Sequence, residues 1–347
     1  MSFINKFLII LLFLSLLIVP VSAVDDGVDN NMTIVSNDIV STPIDGSESL
    51  GDYYYTYYFD ASAKTDGSGT QSSPYKYLTS SRISGDARHV FASGTYQLDS
   101  GPSFFFYGSA AFEGNGADNT IIKYTGSDTF LTASSGNTIS IKGLTIQGAN
   151  FKVDGTLDLA NSIIENAKGF SSDNYGNNYG GAVSMSSTLS SSAKIIAQNT
   201  IFRNNHAEYG GAIYASSGTV NLNNCKFIDN EATQFGGAIA ILKGASATIN
   251  NCEFKNDRSK YDAGGSVYII NSKATITNSN FTDSSSFYGP AVTGLNSTLT
   301  MDNIIAKNNN ASYQGGAIYS LYGYLKVTSS TFDSNMAKMV ELFLQTI

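Results

Sequence analysis

The feature that most constrains this chain is an internal repeat built on a Gly-Gly-Ala-aliphatic unit. Its first glycines are separated by 30, 26, 28, 25 and 26 residues. A repeat of this size is one supersecondary unit, which must stack on its neighbours to bury an apolar face. The six copies begin at Gly180, Gly210, Gly236, Gly264, Gly289 and Gly315, with Ser266 replacing the alanine in the fourth and Pro290 replacing the second glycine in the fifth.

A second unit, of the form Asn-x-x-Phe-x-x-Asn, follows most of these glycines. The segments between the two units alternate apolar and polar residues, as in 219–223 and 274–277. Alternation of period two is typical of half-buried strands, and no segment of the repeats has a helical period. The chain is therefore predicted to be all-β, a single-stranded right-handed parallel β-helix with three short strands in each coil of about 26 residues.

Stacking of coils in register predicts ladders of equivalent side chains. Asparagine is expected at one sharp corner, because it tolerates a left-handed backbone and can hydrogen-bond to the coils above and below. Two cysteines, Cys225 and Cys252, share one inward position in consecutive coils, as stacked thiols or, alternatively, as a disulfide. The predicted inward apolar ladder is Phe202, Phe227, Phe254, Phe281, Ile305 and Phe332, and the predicted corner ladder is Asn161, Asn199, Asn224, Asn251, Asn278 and Asp302.

The flanks of the repeats divide the chain further. Residues 1–23 are typical of a secretory signal, with Lys6 before an apolar run and small residues at Val21 and Ala23 for cleavage. Residues 24–52 are expected to be a flexible acidic leader, and residues 53–337 the β-helix. Residues 338–347 break the repeat, either as a cap on the last coil or as the truncated end of a longer protein.

Composition excludes some functions. Only 14% of residues are charged, and 20 Lys+Arg against 28 Asp+Glu give a net charge of −8. No cationic cluster is available for nucleic acid. The two histidines, His89 and His206, are separated by several coils of the predicted β-helix, which argues against a histidine-based metal site or catalytic triad. We expect no membrane span in the mature chain, no cofactor and no required oligomer.

The repeats resemble those of known surface proteins. Together, the recurring GGAI and FxxN units are similar to the repeats of polymorphic outer membrane proteins and of adhesin-like proteins of methanogenic archaea. The opening residues 66–78 and 92–96 resemble the first coils of pectate-lyase-like β-helices. This resemblance implies an exported protein at the cell surface or in the cell envelope, and a role in adhesion.

Two sets of side chains are candidates for binding. If Ile213, Val267 and Ile318 point inward, the residues that follow them, Tyr214, Tyr268 and Tyr319, should point outward on alternate coils and contact sugars or proteins. An outward corner after the phenylalanine ladder carries Asp229, Asn256, Asp257, Asp283 and Asp333. Asp229 and Asp283 would lie two coils apart and form a weak calcium site, or simply belong to a solvated corner.

These observations favour an adhesin-like protein that presents a rigid face to cell-surface glycans or proteins. The alternative is a polysaccharide lyase or hydrolase of pectate-lyase-like fold, or an inactive remnant of one. Such an enzyme needs carboxylates that converge on one groove, and the best candidate group is the same outward corner with Asp229 and Asp283, which a solvated turn also explains. Whether the chain is an enzyme stays open at this point, with binding the favoured interpretation.

Overall fold

The structure, a computed structural model, describes residues 53–101, 108–169, 178–185 and 192–339. They all belong to one compact unit, residues 50–347. The predicted signal and leader, residues 1–52, lie outside the described residues, as does all of the predicted tail except Lys338 and Met339. The described chain forms thirty-five strands, β1 to β35, and one short 3-10 helix, Ser80–Arg82.

The strands form four sheets in which every pair of strands is parallel. Each strand pairs with the equivalent strands of the coils before and after it, so the predicted parallel β-helix is confirmed. Sheet A has eleven strands: β1 Tyr55–Phe59, β2 Ala87–Phe91, β4 Ala110–Gly114, β7 Thr138–Lys142, β10 Thr156–Ala160, β13 Lys194–Gln198, β17 Thr219–Asn223, β21 Ser246–Asn250, β25 Lys273–Thr277, β29 Thr298–Asp302 and β33 Tyr324–Thr328.

Sheets B and C complete the basic coil. Sheet B has ten strands: β3 Gly94–Leu98, β5 Thr120–Tyr124, β8 Thr145–Gln147, β11 Ile163–Glu165, β14 Ile201–Arg203, β18 Lys226–Ile228, β22 Glu253–Lys255, β26 Asn280–Thr282, β30 Ile305–Lys307 and β34 Thr331–Asp333. Sheet C has eight strands: β6 Leu131–Ala133, β9 Phe151–Val153, β12 Val183–Met185, β16 Ile213–Ala215, β20 Ile239–Leu242, β24 Val267–Ile270, β28 Val292–Leu295 and β32 Ile318–Leu321.

A fourth sheet lies between sheets B and C in the later coils. The predicted three strands per coil describe the coils β4–β6 and β7–β9 and the described residues of β10–β12, and a fourth strand is present from β15 onward. The sequence did not indicate this strand, because it follows closely after the strand of sheet B and has no apolar alternation of its own. Sheet D comprises β15 His206–Tyr209, β19 Glu231–Phe235, β23 Arg258–Ser259, β27 Ser285–Tyr288, β31 Asn310–Gln314 and β35 Met336–Ala337.

Inward residues of consecutive coils stack in a continuous apolar core. The rings of Phe202, Phe227, Phe254 and Phe281 lie parallel, with successive ring centroids 4.9, 4.8 and 4.6 Å apart. The next ladder position is Ala306, which pairs in register with Phe281 and then with Phe332. Ile305 was predicted there, but it lies one residue away, on the outer side of the strand, and is 45% exposed. A one-residue shift in register moves a side chain to the opposite face.

The asparagine corner connects sheets A and B. Asn199, Asn224, Asn251 and Asn278 all have positive φ, between 49° and 53°, in the left-handed region. Each amide helps to hold the next coil: Asn224 Nδ2 donates to Asn199 Oδ1 at 3.1 Å, and Asn251 Nδ2 donates to Asn224 Oδ1 at 2.5 Å. The next member is Asn303, with φ 54°, rather than the predicted Asp302, which is the last residue of its strand.

Candidate binding surfaces

The three tyrosines predicted to form an exposed row are covered. Tyr214 and Tyr268 are only 4% exposed, and Tyr319 is half-buried. Their rings point away from the solenoid axis, as expected, but each packs against an aromatic residue that precedes the Gly-Gly corner of the coil below. The three pairs, with their ring-centroid distances, are Tyr214 with Tyr179 at 4.7 Å, Tyr268 with Phe235 at 4.6 Å, and Tyr319 with Tyr288 at 4.9 Å.

Alternating residue sizes make room for these rings. In sheet C, small residues alternate with the tyrosines: Ser184 pairs with Tyr214, Ala240 with Tyr268, and Thr293 with Tyr319. Each tyrosine ring therefore extends over the small residue of the coil below. Burial raises the pKa of Tyr268, and the carboxylate of Asp262 raises it further. The tyrosines thus pack against the aromatic residues before the glycine corners, and Tyr214 and Tyr268 are too deeply buried to form an exposed contact row.

The Gly-Gly corner brings sheets C and D close together. Gly210 has φ 65°, in the region that glycine enters without strain. A Cβ on the next residue, Gly211, would lie 2.0 Å from the carbonyl oxygen of Gly237 in the coil above. A side chain at Gly211 would therefore clash with the coil above, although the fifth copy accommodates Pro290 at the equivalent position.

The second corner holds the predicted calcium residues. Asp229 and Asp283 have φ 56° and 59°, and each carboxylate accepts a hydrogen bond from the asparagine of the coil above. Asn256 Nδ2 donates to Asp229 Oδ1 at 2.6 Å, and Asn308 Nδ2 donates to Asp283 Oδ1 at 3.3 Å. The two aspartates thus belong to an amide–carboxylate ladder. Among the described residues, no three His, Cys, Asp or Glu side chains are grouped so that they could hold a metal ion.

Asp257 was assigned to this outward corner and in fact lies inside the solenoid. Its side chain is 0% exposed, within a buried polar ladder formed by the last position of each Asn-x-x-Phe-x-x-Asn unit. Removal from water raises the pKa of Asp257 to about 8, although hydrogen bonds from Asn230 act in the opposite direction. Alignment of the repeat units gives Asp257 the same position as Asn205, Asn230 and Asn309. These three asparagines are buried as well.

The cysteines and histidines take structural positions. Cys225 and Cys252 lie buried in neighbouring coils with both thiols free. His89 is buried and stacks on Phe112 with ring centroids 4.6 Å apart, and burial lowers its pKa to about 4. His206 begins the first strand of sheet D, where its Nδ1 lies 3.8 Å from Glu231.

The outer side of sheet A carries a regular polar surface. We call it the threonine–asparagine face, and it consists of the outward side chains of β17, β21, β25 and β29. Lys273 and Asp302 are its only charged members. Its full set is Thr219, Asn221, Asn223, Ser246, Thr248, Asn250, Lys273, Thr275, Thr277, Thr298, Thr300 and Asp302.

This face is regular and internally ordered. Thr248, Thr275 and Thr300 lie directly above one another in the strand register. Beside them, Asn250 Nδ2 donates to Asn223 Oδ1 at 2.8 Å, and Thr277 Oγ1 donates to Asn250 Oδ1 at 2.9 Å. Side chains already held in one arrangement lose little entropy when they bind a partner.

Comparison with known proteins gives one sequence match and one structural likeness. Residues 199–216 match the repeat described as the Chlamydia polymorphic membrane protein repeat. This segment runs from the asparagine corner through the phenylalanine position and the Gly-Gly corner into sheet C, so it contains both repeat units. No curated protein matches the chain.

The structural likeness is to the surface protein and adhesin PfbA of Streptococcus pneumoniae. It has 13% sequence identity and a TM-score of 0.34, and it covers 84% of this chain and 91% of that chain. A superposition this loose transfers no residue-level geometry. Within the described part of the chain, no helix reaches the length and apolarity that crossing a membrane requires.

Proposed function

We propose that this chain is an exported, adhesin-like protein of the cell surface that binds glycans or other surface molecules through a rigid β-helix. The observation that carries the proposal is the threonine–asparagine face, an ordered and nearly uncharged array of hydroxyl and amide groups across four coils. Such a surface binds through many modest contacts rather than through one deep pocket. The signal-like residues 1–23 and the polymorphic-membrane-protein repeat at 199–216 support export and display.

The stacked core makes the face rigid. Each coil contacts only its neighbours, and ladders of phenylalanine and asparagine hold adjacent coils in register. A partner polymer therefore meets a surface whose groups repeat at the spacing of parallel strands, roughly 4.8 Å. Partners rich in hydroxyl groups fit this surface better than highly charged ones, because the face has only two charged side chains, Lys273 and Asp302.

A surface-binding assay tests the proposal. The purified chain is applied to immobilised cell-wall glycans and to whole cells, and bound protein is measured. The double variant Thr248→Lys with Thr275→Lys places two charges in the centre of the threonine–asparagine face, and we expect it to lose at least tenfold in binding. Asn280→Lys, an exposed position on sheet B, is the matched control and should bind as the unaltered chain does.

Two results would contradict the proposal. One is equal binding by the double variant and the control, with both folded by circular dichroism. The other is the release of unsaturated or reducing ends when the chain is incubated with pectin or alginate, because turnover favours the polysaccharide lyase or hydrolase.

A further inference from the structure

A recess lies on the side of the solenoid where sheet D begins. In the coils β4–β6 and β7–β9 no strand lies between sheets B and C, whereas the coils from β13 onward have one. Strand β15 opens sheet D, and the described residues of the coil below it, which exclude 170–177, pair with it through two isolated bridges, Lys168 with His206 and Tyr179 with Tyr209. A cavity of about 490 Å³ that is open to solvent lies at this step. We call it the step cleft, and it is lined by Tyr124–Asp128, Gly148, Asn150, Asn166, Lys168, Gly169 and Asn178.

Three successive coils build the cleft, and buried contacts fix its floor. The Tyr124 hydroxyl donates to the carboxylate of Asp128 and accepts a hydrogen bond from the backbone N–H of Gly101 at 3.0 Å. Gly148 has φ 73°, and a Cβ there would lie 2.6 Å from the carbonyl oxygen of Tyr124. The floor is therefore closely packed, and it holds Asp128 in a defined place at the rim.

Asn150 has an acceptor that the protein leaves unused. Its side chain lines the cleft and is 6% exposed, and its Nδ2 makes a long 3.4 Å hydrogen bond to the Lys168 carbonyl. Its Oδ1 has no hydrogen-bond partner. A buried acceptor without a donor costs roughly 1–3 kcal/mol. Asn150 lines the cleft, and the last side-chain torsion of asparagine is broad, so reorientation of its amide on binding would present Oδ1 to a ligand.

The lining indicates the chemistry of a ligand. Among the described residues that line it, the charged side chains are Asp128 and Lys168, and their charges balance each other. The other side chains that line it supply hydroxyl and amide groups, both donors and acceptors. Its volume lies within the ~300–1,000 Å³ of typical small-molecule sites. A neutral ligand with several hydroxyl groups satisfies the unused Asn150 acceptor and needs no excess charge.

We propose that the step cleft binds one or two units of a neutral saccharide, with a sugar hydroxyl donating to Asn150 Oδ1. This inference rests on the proposed function in that it names a glycan as the partner, and it adds a defined site that is separate from the threonine–asparagine face. The cleft would select a particular sugar, whereas the face adds contacts along a chain.

The test is titration calorimetry of the full chain with free sugars. The neutral probes are glucose, galactose, mannose and N-acetylglucosamine, and the charged probes are galacturonic acid and glucosamine. Asn150→Leu removes the unpaired acceptor and leaves a side chain of similar size, so we expect it to fold at least as stably as the unaltered chain and to lose tenfold or more in affinity. Asn280→Leu, on the exposed side of sheet B, is the matched control and should bind normally.

The outcomes separate this inference from the proposed function. Binding of a neutral sugar that is lost in Asn150→Leu and retained in Asn280→Leu supports the cleft. The cleft assignment is overturned if no neutral sugar binds, if only the charged probes bind, or if Asn150→Leu binds equally well. Adhesion to glycan-coated surfaces that persists in any of those cases would leave the proposed function standing, whereas cleft binding without adhesion would remove the proposed function alone.

Discussion

Asn230 donates two hydrogen bonds to the same oxygen of Asp257, one from its backbone N–H and one from its Nδ2, both 3.0 Å long. The other carboxyl oxygen of Asp257, Oδ2, has no partner. In the equivalent coils, the asparagine Nδ2 donates to a phenylalanine carbonyl, from Asn230 to Phe202 and from Asn309 to Phe281, both at 3.0 Å. At this position the equivalent asparagines supply an amide donor to the phenylalanine carbonyl oxygen. The carboxylate of Asp257 has only acceptor oxygens to place there.

The first prediction follows from this contact and concerns pH. The folded pKa of Asp257, about 8, lies above its ordinary value of 3.8 because of burial, with the nearby Asp229 carboxylate adding to the shift. Below pH 3.8 the Asp257 carboxyl is protonated in both the folded and the unfolded chain. The stabilisation that arises from its raised pKa is then fully present. As the pH rises toward 8, only the unfolded chain releases it, so the free energy of unfolding falls by roughly 1 kcal/mol per pH unit. Above pH 8 the loss is complete.

Asp257→Asn should remove this dependence and raise the denaturant midpoint at pH 7, because its amide can donate as the other asparagines of the ladder do. Denaturant unfolding between pH 4 and pH 9 measures both effects. Asp283→Asn, one coil later at the solvated corner, is the control and should change stability by less than about 0.5 kcal/mol. An unchanged pH slope in Asp257→Asn would show that another group is responsible.

A second prediction concerns the Gly-Gly corner. Gly211→Ala places a methyl group 2.0 Å from a backbone carbonyl oxygen, so the coils must separate. We expect a large fall in the thermal midpoint and faster amide exchange in β16 and β20. Gly294→Ala is the matched control, because its nearest neighbour atom would be 3.6 Å away. It should be neutral or stabilising by about 0.4–1 kcal/mol. Equal effects of the two substitutions would contradict the close-approach explanation.

A third prediction concerns the phenylalanine ladder. Phe254 is fully buried between Phe227 and Phe281, and Phe254→Ala leaves a cavity in the middle of the stack. Truncation of a buried phenylalanine costs about 3–5 kcal/mol, measurable by denaturant unfolding. Ile305→Ala should cost far less, since Ile305 is 45% exposed. A comparable loss at Ile305 would place it in the core after all.

A fourth prediction concerns the thiols. Cys225 and Cys252 are 1% and 2% exposed, and the neighbouring Cys225 thiol together with burial raises the pKa of Cys252. Low access slows the reaction of both thiols with a disulfide reagent, and the disfavoured thiolate slows it further at Cys252. We expect no labelling of the native chain within minutes and two thiols per chain in denaturant without reductant. No thiols in denaturant would instead indicate a disulfide between the coils.

The repeat itself determined the main architecture. Units such as 199–205 and 224–230 must occupy equivalent positions, so the stacking of Phe202 on Phe227 and the left-handed Asn199 and Asn224 follow from pattern and turn chemistry alone. The one-residue error that placed Ile305 in the core arose where alanine replaces phenylalanine, because at Ala306 the sequence has no large side chain to mark the inward position.

Tertiary structure decided which outward-facing side chains are exposed to solvent. Periodicity shows that Tyr214 points away from the axis, but whether another sheet lies over it depends on the direction of the chain at the Gly-Gly corner. That direction follows from positive φ and close backbone contact between coils. The same long-range geometry buried Asp257, added sheet D and opened the step cleft. Sequence pattern specifies which residues are equivalent, and only the three-dimensional path of the chain specifies what lies against them.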